Sequence, residues 1–187
     1  MSQERISDEA LMHGYSQGDA GAFETLYRRH NGALYRYILR QCLDRNTADE
    51  IYQDVWLRLI NARRRYRSSA RFATYLYHIA HNRMVDYFRR NSSRQAVTDL
   101  PLENDHTLKT AWAVSTPRPE VELARKQEVQ TVLELIEQLP SVQREVFLLR
   151  EEAGMSLQEI AKVTGVGRET AKSRLRYALK ALREGLQ

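Results

Sequence analysis

Arginine and aromatic side chains alternate in the middle of the chain, and this mixture is suited to binding nucleic acid. Between residues 61 and 94, nine arginines stand against a single carboxylate, that of Asp86. Guanidinium groups hold a phosphate backbone, and aromatic faces stack on bases that have left the double helix. The pattern therefore favours single-stranded or opening DNA over intact duplex, although some rings, above all Phe72 and Phe88, are expected in the core. The members of this basic-aromatic block are Arg63, Arg64, Arg65, Arg67, Arg71, Arg83, Arg89, Arg90, Tyr66, Phe72, Tyr75, Tyr77, Tyr87 and Phe88.

A second, mildly basic region lies at the C-terminal end, where residues 141–187 hold nine basic and six acidic side chains. Residues 95–140 between the two regions are acidic, with eight carboxylates and four basic side chains. Two basic regions separated in this way predict two separate contacts with a polyanion. The alternative is an ordinary solvated helix face, which the strong excess of positive charge in the central block disfavours.

The C-terminal region has the spacing of a helix-turn-helix. Ser156 and Glu159 form an S-x-x-E capping box, and residues 164–167 (TGVG) supply a turn after one short helix. In the next helix, one face is apolar and packs inward: Ala171, Leu175, Ala178 and Leu182. The opposite face is suited to base edges in a major groove: Glu169, Lys172, Ser173, Arg176 and Lys180. Arg168, Arg174 and Tyr177 lie on the flanks, where phosphate contact is expected.

The elements that position these residues are predicted to be helices throughout. Ser7 caps a first helix ending near Gln17, a long amphipathic helix follows, and Thr47 with Glu50 has the spacing of another capping box. A polar loop from residue 63 to 71 precedes a helix that lasts until Arg90. The fold class is all-α, with two small helical domains joined by a linker, the C-terminal one containing the helix-turn-helix. The predicted boundaries are 1–90 and 120–187 for the four-helix domains and 91–119 for a flexible, proline-containing linker.

Several classes of function are disfavoured by what the sequence lacks. No secretion signal and no apolar run of membrane-spanning length occurs, so we expect a cytoplasmic protein without membrane insertion. Cys42 is the only cysteine, and its apolar context predicts a core residue rather than a redox sensor. His78 and His81 have a metal-compatible spacing but no evident third ligand. We expect no metal, no cofactor and no catalytic activity.

Three runs carry a family resemblance over nearly the full length: residues 48–60 (ADEIYQDVWLRLI), residues 72–90 (FATYLYHIAHNRMVDYFRR) and residues 157–182. They resemble the conserved regions of the extracytoplasmic-function (ECF) group of bacterial RNA polymerase sigma factors. The resemblance implies a sigma factor that binds core RNA polymerase and promoter DNA and directs promoter-specific initiation. It also implies an anti-sigma factor as a partner.

The resemblance further implies roles for individual residues. The helix with the D/E-x-x-Q-D/E pattern would bind the clamp of the polymerase's largest subunit through Glu50, Gln53 and Asp54, with Trp56 and Leu57 beside them. The recognition helix would read the −35 element, chiefly through Lys172, Ser173 and Arg176. Recognition and melting of the −10 element would involve Tyr66, Arg67, Ser68, Ser69, Ala70, Arg71, Phe72, Asn82, Arg83, Asp86, Arg89 and Arg90.

The chain departs from the family pattern at two places. Tyr75 stands where the family often has tryptophan, which keeps an aromatic ring and adds a hydroxyl. Arg168 and Glu169 open the recognition helix where a shorter polar residue and a β-branched one are frequent, so the promoter preference is expected to differ.

Two other classes of protein remain as alternatives. A stand-alone helix-turn-helix repressor or activator would use the N-terminal half for dimerisation or sensing, but would leave the basic-aromatic block and the Gln53–Asp54 helix without a role. A nucleic-acid-processing enzyme would need an acidic metal-binding cluster or a nucleophile, and the sequence offers neither.

Overall fold

The structure, a computed structural model, describes residues 6–67, 70–95 and 119–187, and of residues 92–95 and 119–126 only the backbone. The described residues form eight α-helices and one short 3-10 turn, and contain no strand, so the predicted all-α class is confirmed. The helices are α1 (Asp8–Ser16), α2 (Ala20–Cys42), α3 (Arg45–Ala62), α4 (Phe72–Gln95), α5 (Pro119–Gln138), α6 (Ser141–Glu151), α7 (Leu157–Thr164) and α8 (Arg168–Gly185). The 3-10 turn is Arg63–Arg65, between α3 and α4.

Side-chain caps determine where the N-terminal helices begin. The Ser7 hydroxyl accepts a hydrogen bond from the backbone N–H of Ala10 (3.2 Å), as the sequence predicts for α1. The predicted Thr47–Glu50 capping box is wrong. Asp44 is the N-cap of α3, and its carboxylate accepts from the N–H of Thr47 at 2.7 Å, so Thr47 already lies inside the first turn.

Helices α1 to α4 enclose an apolar core. Leu26, Leu34 and Ile38 of α2 are fully buried against Ile51 and Leu59 of α3. Helix α4 closes this core with a second group of buried side chains: Phe72, Leu76, Tyr77, Ala80 and Met84. Phe88 does not join them, contrary to expectation, since it is exposed on the C-terminal half of α4. This half extends to Gln95, five residues beyond the predicted end of the helix.

Helices α5 to α8 form the second helical unit. The Ser156–Glu159 capping box is present at the start of α7, and Gly165 ends this helix with φ of 67°. A left-handed conformation of this kind favours glycine, which explains the TGVG turn. Ala171, Ala178 and Leu182 of α8 are buried, as predicted, while Leu175 is half-buried. Residues 96–118, which make up most of the predicted linker, lie outside the described residues.

Three glutamates of the second unit, spaced seven residues apart, contact the first unit. Glu145 accepts a hydrogen bond from the Tyr37 hydroxyl (3.0 Å) and lies 2.6 Å from His81 Nδ1. Glu152 forms ion pairs with Arg36 and Arg40 of α2. Glu159 Oε1 accepts from Thr74 (3.2 Å) and from Arg71 (3.3 Å). The two helical units therefore pack together through polar contacts that range from buried, at Tyr37–Glu145, to exposed, at Arg71–Glu159.

Candidate functional site

One face of α3 carries four of the five residues predicted to bind polymerase. Glu50, Gln53 and Leu57 are exposed and Asp54 is half-buried, and their spacing of three and four residues places them side by side. Leu57 is one of the large apolar residues that are exposed, at 55 %. The face therefore offers two carboxylates, an amide and one exposed apolar side chain. We call these four residues the α3 face.

Trp56 lies on the inward flank of α3 and is only 5 % exposed. Its ring contacts the rings of Phe23 (5.9 Å between centroids, nearly perpendicular) and Tyr27 (4.8 Å). Aromatic contacts of this kind stabilise the packing of α2 on α3. In this structure Trp56 therefore supports the α3 face from behind and does not project from it.

Arg83 of α4 is 5 % exposed and joins α4 to two residues of the α3 face. Its Nε donates to Asp54 Oδ2 at 2.5 Å, and its Nη2 donates to Glu50 Oε1 at 3.0 Å. The guanidinium also lies over the ring of Tyr87, 5.9 Å from its centroid. The family resemblance groups Arg83 with the DNA-binding residues. The structure places it under the α3 face.

The segment between α3 and α4 holds residues predicted to contact the −10 element. Tyr66 is half-buried, with its ring 5.3 Å from that of Tyr75, and Arg67 and Arg71 are exposed. Phe72 is fully buried, and its backbone N–H donates to the Glu9 carboxylate of α1 at 2.8 Å. Ala70 is half-buried, and Ser68 and Ser69 lie outside the described residues. Glu9 was not foreseen because it lies 63 residues before the helix start that it caps.

A polar and basic strip follows on α4. Asn82, Arg89 and Arg90 are exposed, and Asp86 is half-buried with its carboxylate 3.6 Å from Arg89. These four residues recur every three to four positions, so they share one helical face. This face presents two arginines, an amide and a carboxylate.

The helix-turn-helix presents the outer face of α8 to solvent. Six of its eight predicted DNA-contacting residues are exposed: Arg168, Glu169, Lys172, Arg176, Tyr177 and Lys180. Ser173 and Arg174 are half-buried, and Arg174 lines a cleft between the two helical units together with Phe88 and Val142. The Arg176 guanidinium lies over the Tyr177 ring, 5.1 Å from its centroid.

The capping box that positions the helix-turn-helix also has an electrostatic signature. Burial alone would raise the pKa of Glu159, but hydrogen bonds from the backbone N–H and hydroxyl of Ser156 outweigh it. The positive charge of Arg71 acts in the same direction, so the pKa of Glu159 lies below its usual value. Glu159 is thus ionised at neutral pH, where it both caps α7 and attracts Arg71.

Neither a metal centre nor a membrane span is found in the parts of the chain that the structure describes. His81 is engaged with Glu145, and His78 is exposed on α4. Among the described helices, none combines the length and the apolar character needed to cross a bilayer.

Comparison with known families finds a match in each of the two helical units. The sequence profile of Sigma-70 region 2 matches residues 26–94, and that of Sigma-70, region 4 matches residues 130–182, together about two thirds of the chain. The chain is 28 % identical to the RNA polymerase sigma-H factor of Pseudomonas aeruginosa over 186 residues, which cover 96 % of this chain and 94 % of the relative. It is 26 % identical to the ECF RNA polymerase sigma-E factor of Escherichia coli K12 over 185 residues, or 98 % and 96 % of the two chains.

Two solved structures share the fold. CnrH, solved with the cytosolic domain of CnrY, aligns with a TM-score of 0.65 at 24 % identity over 96 % of each chain. The sigma factor RpoE of Bartonella quintana, solved with the anti-sigma factor NepR, aligns with a TM-score of 0.73 at 19 % identity. That alignment covers 88 % of this chain and 96 % of the neighbour.

A two-unit helical fold with matches to sigma regions 2 and 4 defines a transcription initiation factor. The chain belongs to the extracytoplasmic-function group of bacterial RNA polymerase sigma factors. As a sigma factor, it binds core RNA polymerase and directs promoter-specific transcription.

Proposed function

We propose that each of three surfaces carries out one step of promoter-specific initiation. The α3 face (Glu50, Gln53, Asp54 and Leu57) binds the polymerase clamp, and the segment from Tyr66 to Phe72 with the polar face of α4 captures and melts the −10 element. Helix α8 reads the −35 element. The observation that carries this proposal is that the α3 face, the α4 strip and α8 are largely exposed, on helices whose other sides are packed into the core.

The chemistry of each surface suits its task. Opening the −10 element requires unstacking a base, which costs a few kcal/mol. Arginines that hold the backbone and tyrosines that stack on bases offset this cost. Reading the −35 element requires donors that reach base edges, which Lys172, Ser173 and Arg176 provide, while Arg168 at the first turn of α8 is suited to a phosphate.

The domain boundaries follow from the same division. We propose a polymerase-binding and −10 domain over residues 1–90, a linker over 91–119, and a −35 domain over 120–187. The matched residues 26–94 and 130–182 support two domains, and since α4 extends to Gln95 the first boundary lies a few residues beyond 90.

We propose an anti-sigma factor as the regulator. The neighbour RpoE was solved in complex with an anti-sigma factor, and CnrH was solved in complex with the cytosolic domain of CnrY. We also propose that the protein works in the cytoplasm, where RNA polymerase acts, and that it has no catalytic activity of its own.

The test uses reconstituted holoenzyme and a promoter recovered by selection from random DNA. With Arg176→Ala, we expect discrimination at one −35 base pair to fall by about 1–3 kcal/mol, because a base contact is lost. With Arg168→Ala, DNA binding should weaken evenly across sequences. The dependence of DNA affinity on salt concentration should decrease by the amount expected for the loss of about one phosphate contact. Gln138→Ala, exposed at the end of α5, is the control. Unchanged base preference in Arg176→Ala would contradict the proposed −35 role.

A further inference from the structure

Arg83 is a buried cation beneath two carboxylates, one exposed and one partly exposed. Its side chain is 6 % exposed, whereas those of Glu50 and Asp54 are 59 % and 39 % exposed. Each carboxylate accepts from Arg83 through one oxygen and keeps its second oxygen for another donor. The guanidinium thus holds both groups from behind and leaves their outer sides accessible.

The planar guanidinium is suited to this arrangement. Two N–H groups in a rigid fork fix the direction of two separate acceptors, which the point charge of a lysine would not do. Glu50 and Asp54 lie four residues apart on α3, where two like charges repel each other. A cation between them removes this repulsion and keeps both ionised groups on the same face.

A second contact beside Arg83 fixes the distance between α3 and α4. The Tyr87 hydroxyl lies 3.0 Å from Thr47 Oγ1, and the Tyr87 ring packs under the Arg83 guanidinium. Thr47, Glu50 and Asp54 form one stripe along α3, and each contacts α4. The orientation of the α3 face therefore depends on α4.

We propose that Arg83 is a positioning residue for polymerase binding, which holds Glu50 and Asp54 in the geometry that the polymerase recognises. This inference rests on the proposed polymerase-binding role of the α3 face. Ordering long side chains on binding costs free energy, and side chains that are already held in place avoid much of that cost. The surface that docks here should offer cationic or N–H groups to the free oxygens of the two carboxylates.

The test is a double-mutant cycle on affinity for core polymerase, measured with fluorescently labelled full-length protein. Arg83→Gln should weaken core binding about tenfold, and Arg83→Lys should retain part of the affinity. In an Asp54→Asn background the effect of Arg83→Gln should shrink to about twofold, because one of the groups that Arg83 positions is already altered. Gln138→Ala, exposed at the end of α5 and far from α3 in the sequence, is the control and should bind core polymerase as well as wild type.

Promoter DNA binding by the preformed holoenzyme separates this role from a direct DNA contact. At saturating core polymerase, Arg83→Gln should bind promoter DNA within about twofold of wild type. If Arg83→Gln weakened core binding as strongly in the Asp54→Asn background as in wild type, the inference would be overturned. A loss of DNA affinity with unchanged core affinity would also overturn it, and would return Arg83 to the −10 surface.

Failure of the inference is distinguishable from failure of the proposed function. Gln53→Ala and Leu57→Ala change the α3 face without touching Arg83, and the proposed function requires that they weaken core binding. If they do so while Arg83 shows no coupling to Asp54, only the positioning role is lost. Should Arg83→Gln fail to unfold cooperatively, the same cycle with Arg83→Lys, which preserves the buried charge, decides the question.

Discussion

Glu145 of α6 lies 2.6 Å from His81 of α4 through one carboxylate oxygen and the Nδ1 atom of the ring. The same oxygen accepts a hydrogen bond from the Tyr37 hydroxyl of α2. Burial, together with the negative charge of Glu145, raises the pKa of Tyr37 far above its usual value, so this hydroxyl remains a donor. One carboxylate of the second helical unit therefore engages two helices of the first.

The Glu152 ion pairs should contribute measurably to the packing of the two units. Glu152→Ala leaves Arg36 and Arg40 without their shared partner, and we expect the free energy of unfolding to fall by about 1–3 kcal/mol, less than for a fully buried pair. Glu151→Ala, an exposed neighbour on α6, is the matched control and should change stability by less than about 0.5 kcal/mol. Urea titration measures both, and equal effects would argue against the interunit pairs.

Acidification should destabilise the N-terminal unit. Burial alone would raise the pKa of Asp8, but hydrogen bonds from Arg29 and His30 and their charges bring it below its usual value. A carboxyl whose pKa is lower in the folded state stabilises the fold above its unfolded pKa, and this stabilisation disappears as the pH falls through the folded pKa. We therefore expect Tm to decrease below about pH 4, and Asp8→Asn to weaken that decrease.

The control for the acid effect is Glu24→Gln, at the exposed pair with Arg28. It should leave the pH dependence of Tm as in wild type, because exposed pairs of this kind contribute little. An Asp8→Asn variant with the same acid transition as wild type would show that the Asp8 contacts are not responsible.

The turn of the helix-turn-helix requires glycine at position 165 but not at position 167. Gly165 has φ of 67°, so Gly165→Ala should destabilise the C-terminal unit by about 1 kcal/mol. Gly167 is the N-cap of α8 with φ of −70°, and Gly167→Ser should be neutral or stabilising, because serine is a good N-cap. Chemical denaturation compares the two variants, and a similar loss in both would refute the conformational explanation.

The Cys42 thiol should react slowly in the folded protein. Burial, with a smaller effect from the charge of Asp44, raises its pKa to about 12, so almost no thiolate exists at neutral pH. We expect alkylation at pH 8 to be at least about a hundredfold slower in the native protein than in urea. Comparable rates in the two conditions would instead support the redox-sensor alternative.

Local signals predicted the parts of the fold that depend on local contacts. The Ser156–Glu159 box and the glycine turn each act within a few residues, and both are found in the structure. The Thr47–Glu50 box failed because Asp44, three residues before Thr47, caps the same helix, and spacing alone did not decide between two overlapping caps.

Contacts between distant segments could not be predicted from the sequence. The partners of Arg83 lie 29 and 33 residues away and depend on how α3 packs on α4. Phe88 has core chemistry, but it is exposed beside the cleft that separates the two units. In the sequence, nothing distinguishes the three glutamates that join these units from ordinary surface residues.

The most direct test of the account is run-off transcription with purified core RNA polymerase on a pool of promoters. Wild-type protein and the Arg28→Ala control, which loses only the exposed pair with Glu24, should produce the same promoter-specific transcripts. The double variant Gln53→Ala, Leu57→Ala should lose most of them while still folding, because both changed side chains are exposed. Absence of any stimulation by the wild type, together with tight binding of the protein alone to duplex DNA, would contradict the account and favour a stand-alone repressor or activator.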